Sequence, residues 1–407
     1  MGLDVSCAFL YAPLDREVYI RLPPEDPYHG QGYLGRLVKA LYGTRDAPQA
    51  WQQELGRTMQ RLGFHVSCLH PSVYYRPSDG TWAVAHVDDI LLLGTRDQLI
   101  GFKSEFSKLY KVTGGILEHE QALTYLGRTI KRTAKGYTWS ADGKHVTTLL
   151  SELGLSECKP CDTPYWNEAN LSDRDLESPL SNTEATTFRR HAARLNYLAL
   201  DRIDLCVAAN KLSRCMSSPK PSDMLALKRV ARYLKGKPEA MIEYRWQRSI
   251  DDYVSLTDSD WASCTKTRRS TSGGMILHGR HLINFWCKLQ GGVALSSGEA
   301  ELTSLTKGAC ELTGVLNLVN ESLGSGIVGK CRCDSSAARG TAQRTGVGQL
   351  KHVSIKQLWI QERVMNKSLQ VSWLPRKHNP ADMLTHSLTG VAFDKVLNEL
   401  PISFKGA

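Results

Sequence analysis

Two adjacent carboxylates, Asp88 and Asp89, interrupt an apolar stretch that runs over residues 82–93. Glycines bound the stretch on both sides, so its two halves are predicted to be β-strands and the acid pair lies at the tip of a hairpin. Carboxylates in so apolar a segment are costly to bury unless a cation compensates their charge. Hard oxygen ligands of this kind suit Mg²⁺. The pair therefore indicates a magnesium site, with an exposed hairpin turn as the alternative.

Four further acids in the C-terminal part of the chain each lie at the end of a different predicted element. Asp258 follows a strand, Glu301 begins a strongly periodic helix, Asp334 follows a short strand and Asp382 begins a last helix. Two-metal hydrolysis of a phosphodiester needs such a set, because several carboxylates must hold two cations about 3.5–4 Å apart. Each acid alone could instead be a helix cap or a turn residue. Glu299 lies three residues after Ser296, which is the spacing of a capping box, so it could have a structural role at the start of the helix.

The elements that would position these acids follow from the apolar pattern and the turn residues. A helix is predicted with Trp51, Leu55, Met59 and Leu62 on one face. The polar stretch that ends near Glu184 is the best linker candidate. Strands are predicted over residues 4–10, 123–130, 136–140, 255–262, 272–277, 282–286 and 370–375, and helices over 98–109, 146–153, much of 188–235, 299–319 and from 379 onward.

Length and composition limit the classes of protein that this chain can belong to. Its 407 residues suggest two or three domains, and 42% hydrophobic with 23% charged residues indicates a globular chain. No apolar run reaches the length of about 18 residues that a transmembrane helix needs, so no membrane partner is expected. The net charge of +10 and four basic clusters favour a nucleic acid partner over solvated helix faces. Eleven cysteines without metal-finger spacing suggest reduced thiols in an intracellular protein.

Taken in order along the chain, the motifs resemble the reverse transcriptase and ribonuclease H region of Ty1/copia-type retrotransposon Pol polyproteins. The resemblance extends over nearly the whole sequence. The segments that carry it are Asp4-Val5-Ser6-Cys7-Ala8-Phe9-Leu10, Leu41-Tyr42-Gly43 with Pro48 and Trp51, His86-Val87-Asp88-Asp89, Tyr125-Leu126-Gly127, Thr163-Pro164, Arg232-Tyr233-Leu234-Lys235-Gly236, Asp258-Ser259-Asp260-Trp261-Ala262, Arg269-Ser270-Thr271-Ser272-Gly273, Ser296-Ser297 with Glu299-Ala300-Glu301, Lys351-His352 and Ala381-Asp382.

The resemblance implies a mixed α+β and α/β fold. A palm-type antiparallel sheet with helices would be followed by a ribonuclease H-like α/β domain. It places a partial reverse transcriptase, with palm and thumb, at residues 1–165. A helical connection would follow at 166–245 and the ribonuclease H-like domain at 246–407.

In the palm, the resemblance assigns Asp4, Asp88 and Asp89 to two Mg²⁺ or Mn²⁺ ions for phosphoryl transfer. The partners would be an RNA template, a DNA primer and deoxynucleotides. Phe9 matches the position whose ring excludes a 2′-hydroxyl from the nucleotide site, and a core aromatic is the alternative. His86 departs from the family pattern, since it stands where the family has an aromatic.

In the nuclease, the resemblance assigns Asp258, Glu301, Asp334 and Asp382 to a second pair of Mg²⁺ or Mn²⁺ ions that serve to cut RNA in an RNA–DNA hybrid. His378 could shuttle protons near that site or be a solvated loop residue.

The sequence starts directly at the first palm motif, so the chain is expected to be a fragment without the fingers subdomain. Ribonuclease H activity is therefore expected rather than polymerase activity. One alternative is a non-enzymatic remnant that binds nucleic acid through its basic surface, and another is a decayed copy with no folded role. The resemblance further implies a location in a cytoplasmic particle, in the nucleus or in both. The sequence leaves the oligomeric state open.

Overall fold

The structure is a computed structural model that describes residues 1–166, 178–248, 252–324, 326–348, 351–388 and 390–405. The chain divides into two compact units. The first comprises Met1–Leu126 with Asn317–Ser325, and the second comprises Gly127–Leu316 with Gly326–Ala407. Within the described ranges, no helix combines the length and the apolar character needed to cross a bilayer.

The first unit is built on an antiparallel sheet with two helices. Its sheet has the strand order β4-β5-β6-β7-β1-β8, and a separate two-stranded ribbon pairs β2 with β3. The elements are β1 (Gly2–Val5), β2 (Tyr19–Arg21), β3 (Leu34–Arg36), α1 (Ala47–Arg61), β4 (His65–Val66), β5 (Val73–Arg76), β6 (Thr81–His86), β7 (Asp89–Leu93), α2 (Arg96–Phe106), β8 (Val112–Gly115) and β9 (Ala122–Tyr125).

The predicted hairpin with two acids at its tip is confirmed. Strands β6 and β7 pair in antiparallel fashion, with His86 opposite Asp89 and only Val87 and Asp88 between them. Val87 has a φ of 55°, which is a strained backbone conformation for a β-branched residue. The buried indole of Trp51 in α1 donates a 2.6 Å hydrogen bond to the carbonyl of Val87. Helix α1 therefore holds the turn that carries the acid pair.

Replacing Trp51 with Phe should destabilise the first unit by about 1–2 kcal/mol, because a buried hydrogen bond is lost and a smaller ring leaves a void. Urea unfolding followed by circular dichroism measures this. Trp246→Phe is the matched control, since that indole is 60% exposed and donates to Ala134 at the surface. The control should change stability by less than about 0.5 kcal/mol. Equal effects of both substitutions would contradict this account of the turn.

The second unit contains two sheets and most of the helices. Its elements are β10 (Arg128–Thr133), β11 (Gly136–Ala141), α3 (Lys144–Glu152), α4 (Asn182–Leu198), α5 (Cys206–Ser213), α6 (Pro221–Gly236), β12 (Glu239–Arg245), β13 (Tyr253–Ser259), β14 (Thr271–His278), β15 (His281–Leu289), α7 (Ser297–Leu323), β16 (Gly329–Cys333), α8 (Ser336–Ala342), α9 (Ile355–Met365), β17 (Leu369–Trp373), α10 (Gly390–Glu399) and β18 (Ile402–Lys405). The last residues of α7, from Asn317 onward, are counted with the first unit.

The larger sheet of this unit has the strand order β15-β14-β13-β16-β17. Its first three strands pair in antiparallel fashion, whereas β13, β16 and β17 run parallel. All seven residues of β13 are buried, as expected for a central strand. This is the ribonuclease H-like α/β arrangement that the resemblance predicted, and the antiparallel sheet of the first unit is the predicted palm-type sheet. In the other sheet, β18, β12, β11 and β10 are neighbours in that order.

Helix α7 lies very close to strand β13 at Gly308. A Cβ added there would lie 2.3 Å from Cγ2 of Thr257 and 2.6 Å from Oγ of Ser255. Ser304, one turn earlier, donates a 2.7 Å hydrogen bond to the carbonyl of Asp258. The helix that begins near Glu301 is thus fixed against the strand that ends near Asp258.

Three predicted elements differ from the structure. Residues 123–130 form two strands, because Leu126 and Gly127 both adopt positive φ and turn the chain between β9 and β10. The strand predicted over 4–10 ends at Val5, since Cys7 has a φ of 56° and a 3₁₀ turn follows. The last predicted helix is only the 3₁₀ segment Pro380–Leu384. Residues 167–177 of the proposed linker lie outside the described residues. The three-part domain division stays a prediction.

Candidate active site

Asp258 lies near the end of the central strand β13 and is 4% exposed. The hydroxyl of Thr385 donates a short hydrogen bond to its Oδ2. A carboxylate this deeply buried needs compensation from donors or cations. The predicted acids were expected to gather around this position.

Asp258, Glu301 and Asp334 each offer one ligand atom, and these three atoms lie within 4.8 Å of one another. Strands β13 and β16 are adjacent and parallel, so their carboxyl ends bring Asp258 and Asp334 to the same edge of the sheet. Glu301 reaches them from the N-terminal part of α7, where its Oε1 accepts a 3.2 Å hydrogen bond from the backbone N–H of Ser259. The structure thus brings together three of the four predicted nuclease acids.

A second group shares Asp258 and adds Asp382 and His386, again with ligand atoms within 4.8 Å of one another. The Nε2 atom of His386 is 3.9 Å from Oδ2 of Asp258 and 3.9 Å from Oδ1 of Asp382. The guanidinium of Arg376 is also 3.9 Å from Oδ1 of Asp382. The other three predicted nuclease acids therefore all lie near Asp258.

The crowding of these acids raises two of their pKa values. Burial raises the pKa of Asp258 to about 6, with further contributions from the nearby charges of Asp382 and Asp334. Burial likewise raises the pKa of Glu301 to about 8, and the charges of Asp258 and Asp334 add to it. Without added cations, the site thus disfavours the ionised carboxylates on which metal binding depends.

The donor set fits divalent cations. Two of its oxygens, Oε2 of Glu301 and Oδ1 of Asp382, are buried without a hydrogen-bond partner among the described residues. Unpaired buried carboxylate oxygens are costly, and a cation would satisfy them. Carboxylate ligands suit Mg²⁺ and Mn²⁺.

The three acids that the resemblance assigns to the palm lie near one another in the first unit, although less tightly than the acids of the second unit. Asp4 on β1 lies directly opposite Asp89 on β7, and Asp88 occupies the adjoining turn. Burial, followed by the charges of Asp88 and Asp4, raises the pKa of Asp89. Within the described part of the chain, the groups of three ligand atoms that meet within 4.8 Å both belong to the second unit, so the palm acids form no such group.

Phe9 lies half-buried in the 3₁₀ segment Ala8–Tyr11. Its ring centroid is 4.5 Å from that of Tyr42, and the side chain packs against the apolar core of the first unit. A core role and a role at a nucleotide site both remain compatible with this position.

Two other sequence-based assignments concern residues beside the nuclease acids. His378 is exposed in a 3₁₀ turn and belongs to neither group of ligand atoms. Glu299 has the structural role that its spacing indicated, because its backbone N–H donates to Ser296 and its Oε2 accepts from the backbone of Leu295. Oε2 of Glu299 also lies 2.9 Å from Nε2 of His352.

His386 was missed in the sequence, although a signal existed. It follows Asp382 by four residues, which is the spacing at which side chains share a helix face. The segment Pro380–Leu384 is a 3₁₀ helix that ends before His386, so helical periodicity alone would not have placed its ring.

Several clustered basic residues have partners within the second unit. In α6, Arg229 donates to the carbonyl of Tyr165 and Arg232 donates to that of Lys159. In α4, Arg189 donates to the carbonyl of Met216. These cations thus have structural roles in addition to any electrostatic role toward a polyanion.

Comparison with protein families places the first part of the chain. Residues 1–167 match the family described as reverse transcriptase (RNA-dependent DNA polymerase). The Retrovirus-related Pol polyprotein from transposon RE1 of Arabidopsis thaliana is 30% identical over 98% of this chain and 27% of its own length. The corresponding polyprotein from transposon TNT 1-94 of Nicotiana tabacum is 27% identical over 94% of this chain and 29% of its own.

Among solved structures, LC11-RNase H1 in complex with an RNA/DNA hybrid aligns with 36% of this chain and 99% of its own. The identity is 18% and the TM-score is 0.24. This similarity is too weak to be used for the fold. The ribonuclease H-like architecture of the second unit is described from its own strand order.

Proposed function

This chain belongs to the family of copia-type retrotransposon Pol polyproteins, as part of their reverse transcriptase and ribonuclease H region, and from that premise we propose that its second unit cuts the RNA strand of RNA–DNA hybrids. The chain spans 27% of the length of the RE1 polyprotein. The activities of the complete polyprotein are therefore a separate matter from those of this segment.

The observation that carries the proposal is that two groups of ligand atoms share one residue, Asp258. One group would hold a cation with Glu301 and Asp334, and the other would hold a cation with Asp382. When bound there, such a cation pair would supply a water nucleophile at neutral pH and charge stabilisation for the leaving oxygen of a phosphodiester.

The residues around the acids position them for this task. Thr385 fixes the Asp258 carboxylate by its short hydrogen bond, and Ser304 ties the backbone of Asp258 to α7. The amide of Ser259 orients one oxygen of Glu301, and the other oxygen has no hydrogen-bond partner among the residues that the structure describes. The carboxylates are therefore held by their neighbours before any cation or substrate arrives, which lowers the reorganisation that binding requires.

We expect the purified chain to cut the RNA of a hybrid in the presence of Mg²⁺ or Mn²⁺ and to lose the activity completely when EDTA is added. The measurement is gel analysis of a 5′-labelled RNA annealed to DNA, with single-stranded RNA and duplex DNA as comparison substrates. An Asp258→Asn protein purified in parallel controls for contaminating nuclease. Failure to cut the hybrid with either cation, or equal cutting by the Asn variant, overturns the proposal.

A second candidate activity is RNA-directed DNA polymerisation by the first unit. It is supported by the register that sets Asp4 opposite Asp89, next to Asp88 at the hairpin turn. The substrates would be an RNA template, a DNA primer and deoxynucleotides, and these three acids would hold its cations. Extension of a labelled primer would measure this polymerase activity separately from cleavage of the RNA strand.

A further inference from the structure

His386 occupies a position that the family resemblance did not assign. Its Nε2 atom lies at the same distance, 3.9 Å, from carboxylate oxygens of Asp258 and Asp382. Ligand atoms that share one cation at 2.0–2.2 Å can be separated by at most about 4.4 Å. The imidazole nitrogen therefore lies within the range at which it and either carboxylate could bind a common ion without a backbone movement.

The other groups around these oxygens leave room for such an ion. The hydroxyl of Thr385 donates to Oδ2 of Asp258, which leaves the second lone pair of that oxygen available. Oδ1 of Asp382 is buried without a hydrogen-bond partner in the described residues, and the guanidinium of Arg376 stays 3.9 Å from it. Oδ1 of Asp382 is thus an unsatisfied buried oxygen that lies 3.9 Å from Nε2 of His386.

The position is also open to exchange with solvent. A cavity of about 430 Å³ in the second unit is lined in part by Thr385, His386 and Asp260. The His386 side chain is 39% exposed. A hydrated cation can therefore reach the imidazole from this cavity, while Asp258 remains buried behind it and Asp382 is partly exposed.

We propose that His386 is a direct nitrogen ligand of the cation held by Asp258 and Asp382, and that this position prefers a transition-metal ion such as Mn²⁺ over Mg²⁺. The inference rests on the proposed nuclease function and specifies one of its two cation positions. Imidazole nitrogen is a softer donor than a carboxylate and suits transition metals, whereas Mg²⁺ takes oxygen ligands and retains its waters. The group of Asp258, Glu301 and Asp334 has oxygen donors alone and provides the internal comparison.

Electron spin-echo envelope modulation of bound Mn²⁺ tests the ligand directly, because a coordinated imidazole couples its ¹⁴N nucleus to the metal spin. With the full chain and two equivalents of Mn²⁺, we expect ¹⁴N modulation that disappears in His386→Ala. Calorimetric titration of the same variant should show one of two Mn²⁺ sites weakened at least about tenfold, by comparison with losses of 10–100-fold for indirect partners of metal ligands. The Mg²⁺ affinity should change less.

His378→Ala is the matched control, since it removes an exposed imidazole only eight residues away and should retain the ¹⁴N modulation. Persistence of the modulation in His386→Ala, or its absence from a wild-type chain that binds two Mn²⁺ ions and cuts hybrid, overturns the assignment of His386 and leaves the nuclease proposal intact. A wild-type chain that binds no Mn²⁺ and cuts no hybrid overturns the nuclease proposal itself.

Discussion

Glu301→Gln should abolish cleavage of the hybrid and at the same time stabilise the metal-free protein at pH 8. The loss of activity should be on the order of a thousandfold or more, because a metal-held charge contributes several kcal/mol to the transition state and each 1.4 kcal/mol is tenfold in rate. The gain in stability has a different cause. Glutamine removes a buried carboxylate whose ionisation destabilises the folded protein.

The direction of the pH dependence follows from the raised pKa of Glu301. Its pKa rises from 4.5 to about 8 on folding, so between these values the folded state retains a proton that the unfolded state has lost. This contribution to stability is complete below pH 4.5 and is lost as the pH rises through about 8. The raised pKa of Asp258, about 6, acts in the same direction. Each pKa unit corresponds to about 1.4 kcal/mol, so the total for Glu301 is a few kcal/mol.

Thermal unfolding in EDTA between pH 5 and pH 9 measures the effect. The Tm of Glu301→Gln should exceed that of wild type by a margin that grows with pH, and saturating Mn²⁺ should remove or reverse the margin because it stabilises only the protein that binds it. Glu311→Gln, on the same helix but bonded to Lys307 and Asn284, is the control, and its Tm should not exceed that of wild type as the Tm of Glu301→Gln does. If the difference in Tm between Glu301→Gln and wild type shrinks as the pH rises, ionisation of the buried Glu301 carboxylate does not destabilise the folded protein and this account is wrong.

Gly308→Ala should destabilise the second unit by about 3 kcal/mol and reduce cleavage by about a hundredfold. The new methyl group would meet Thr257 and Ser255 on a fully buried strand, so either α7 or β13 must move. Overpacking of this kind typically costs 1–3 kcal/mol. A shift of α7 also displaces Glu301 from Asp258, and a misplacement of about 1 Å can cost a hundredfold in rate.

The same helix offers a matched substitution at Gly314, which is exposed and has no atom within 4 Å of an added Cβ. Gly314→Ala should stabilise the protein by about 0.5–1 kcal/mol, because alanine has the higher helix propensity, and cleavage should not change. Urea unfolding and initial cleavage rates of the two variants provide the comparison. Similar behaviour of both variants would show that the close approach at Gly308 is not a constraint.

The convergence of the four acids could be predicted from the sequence because each lies at the end of a predicted element, and their role in a nuclease stays a prediction. The apolar stripe of α7 placed Glu301, and the strand patterns placed Asp258 and Asp334. Asp382 was found by motif order, although the helix predicted after it is only a 3₁₀ turn. The role of Phe9 could not be decided, since a half-buried aromatic beside Tyr42 suits either interpretation.

Three features of the structure could not be predicted, because they depend on backbone conformations and long-range contacts that apolar periodicity does not encode. The strand predicted across Leu126 is two strands, because that residue adopts a left-handed backbone conformation next to a glycine. His386 lies beyond the last 3₁₀ turn, so its ring is positioned by tertiary packing and not by a local repeat. The hydrogen bond from Trp51 to Val87 joins residues 36 positions apart and likewise has no local signature.

Because the two ligand groups overlap in Asp258 alone, the five residues of this site differ in what a single substitution would do to the proposed cation positions. A substitution at 258 would remove a ligand from both positions at once, whereas a substitution at 301, 334, 382 or 386 would remove a ligand from one. Asp258 is thus the residue at which one missense change would most fully inactivate the proposed nuclease.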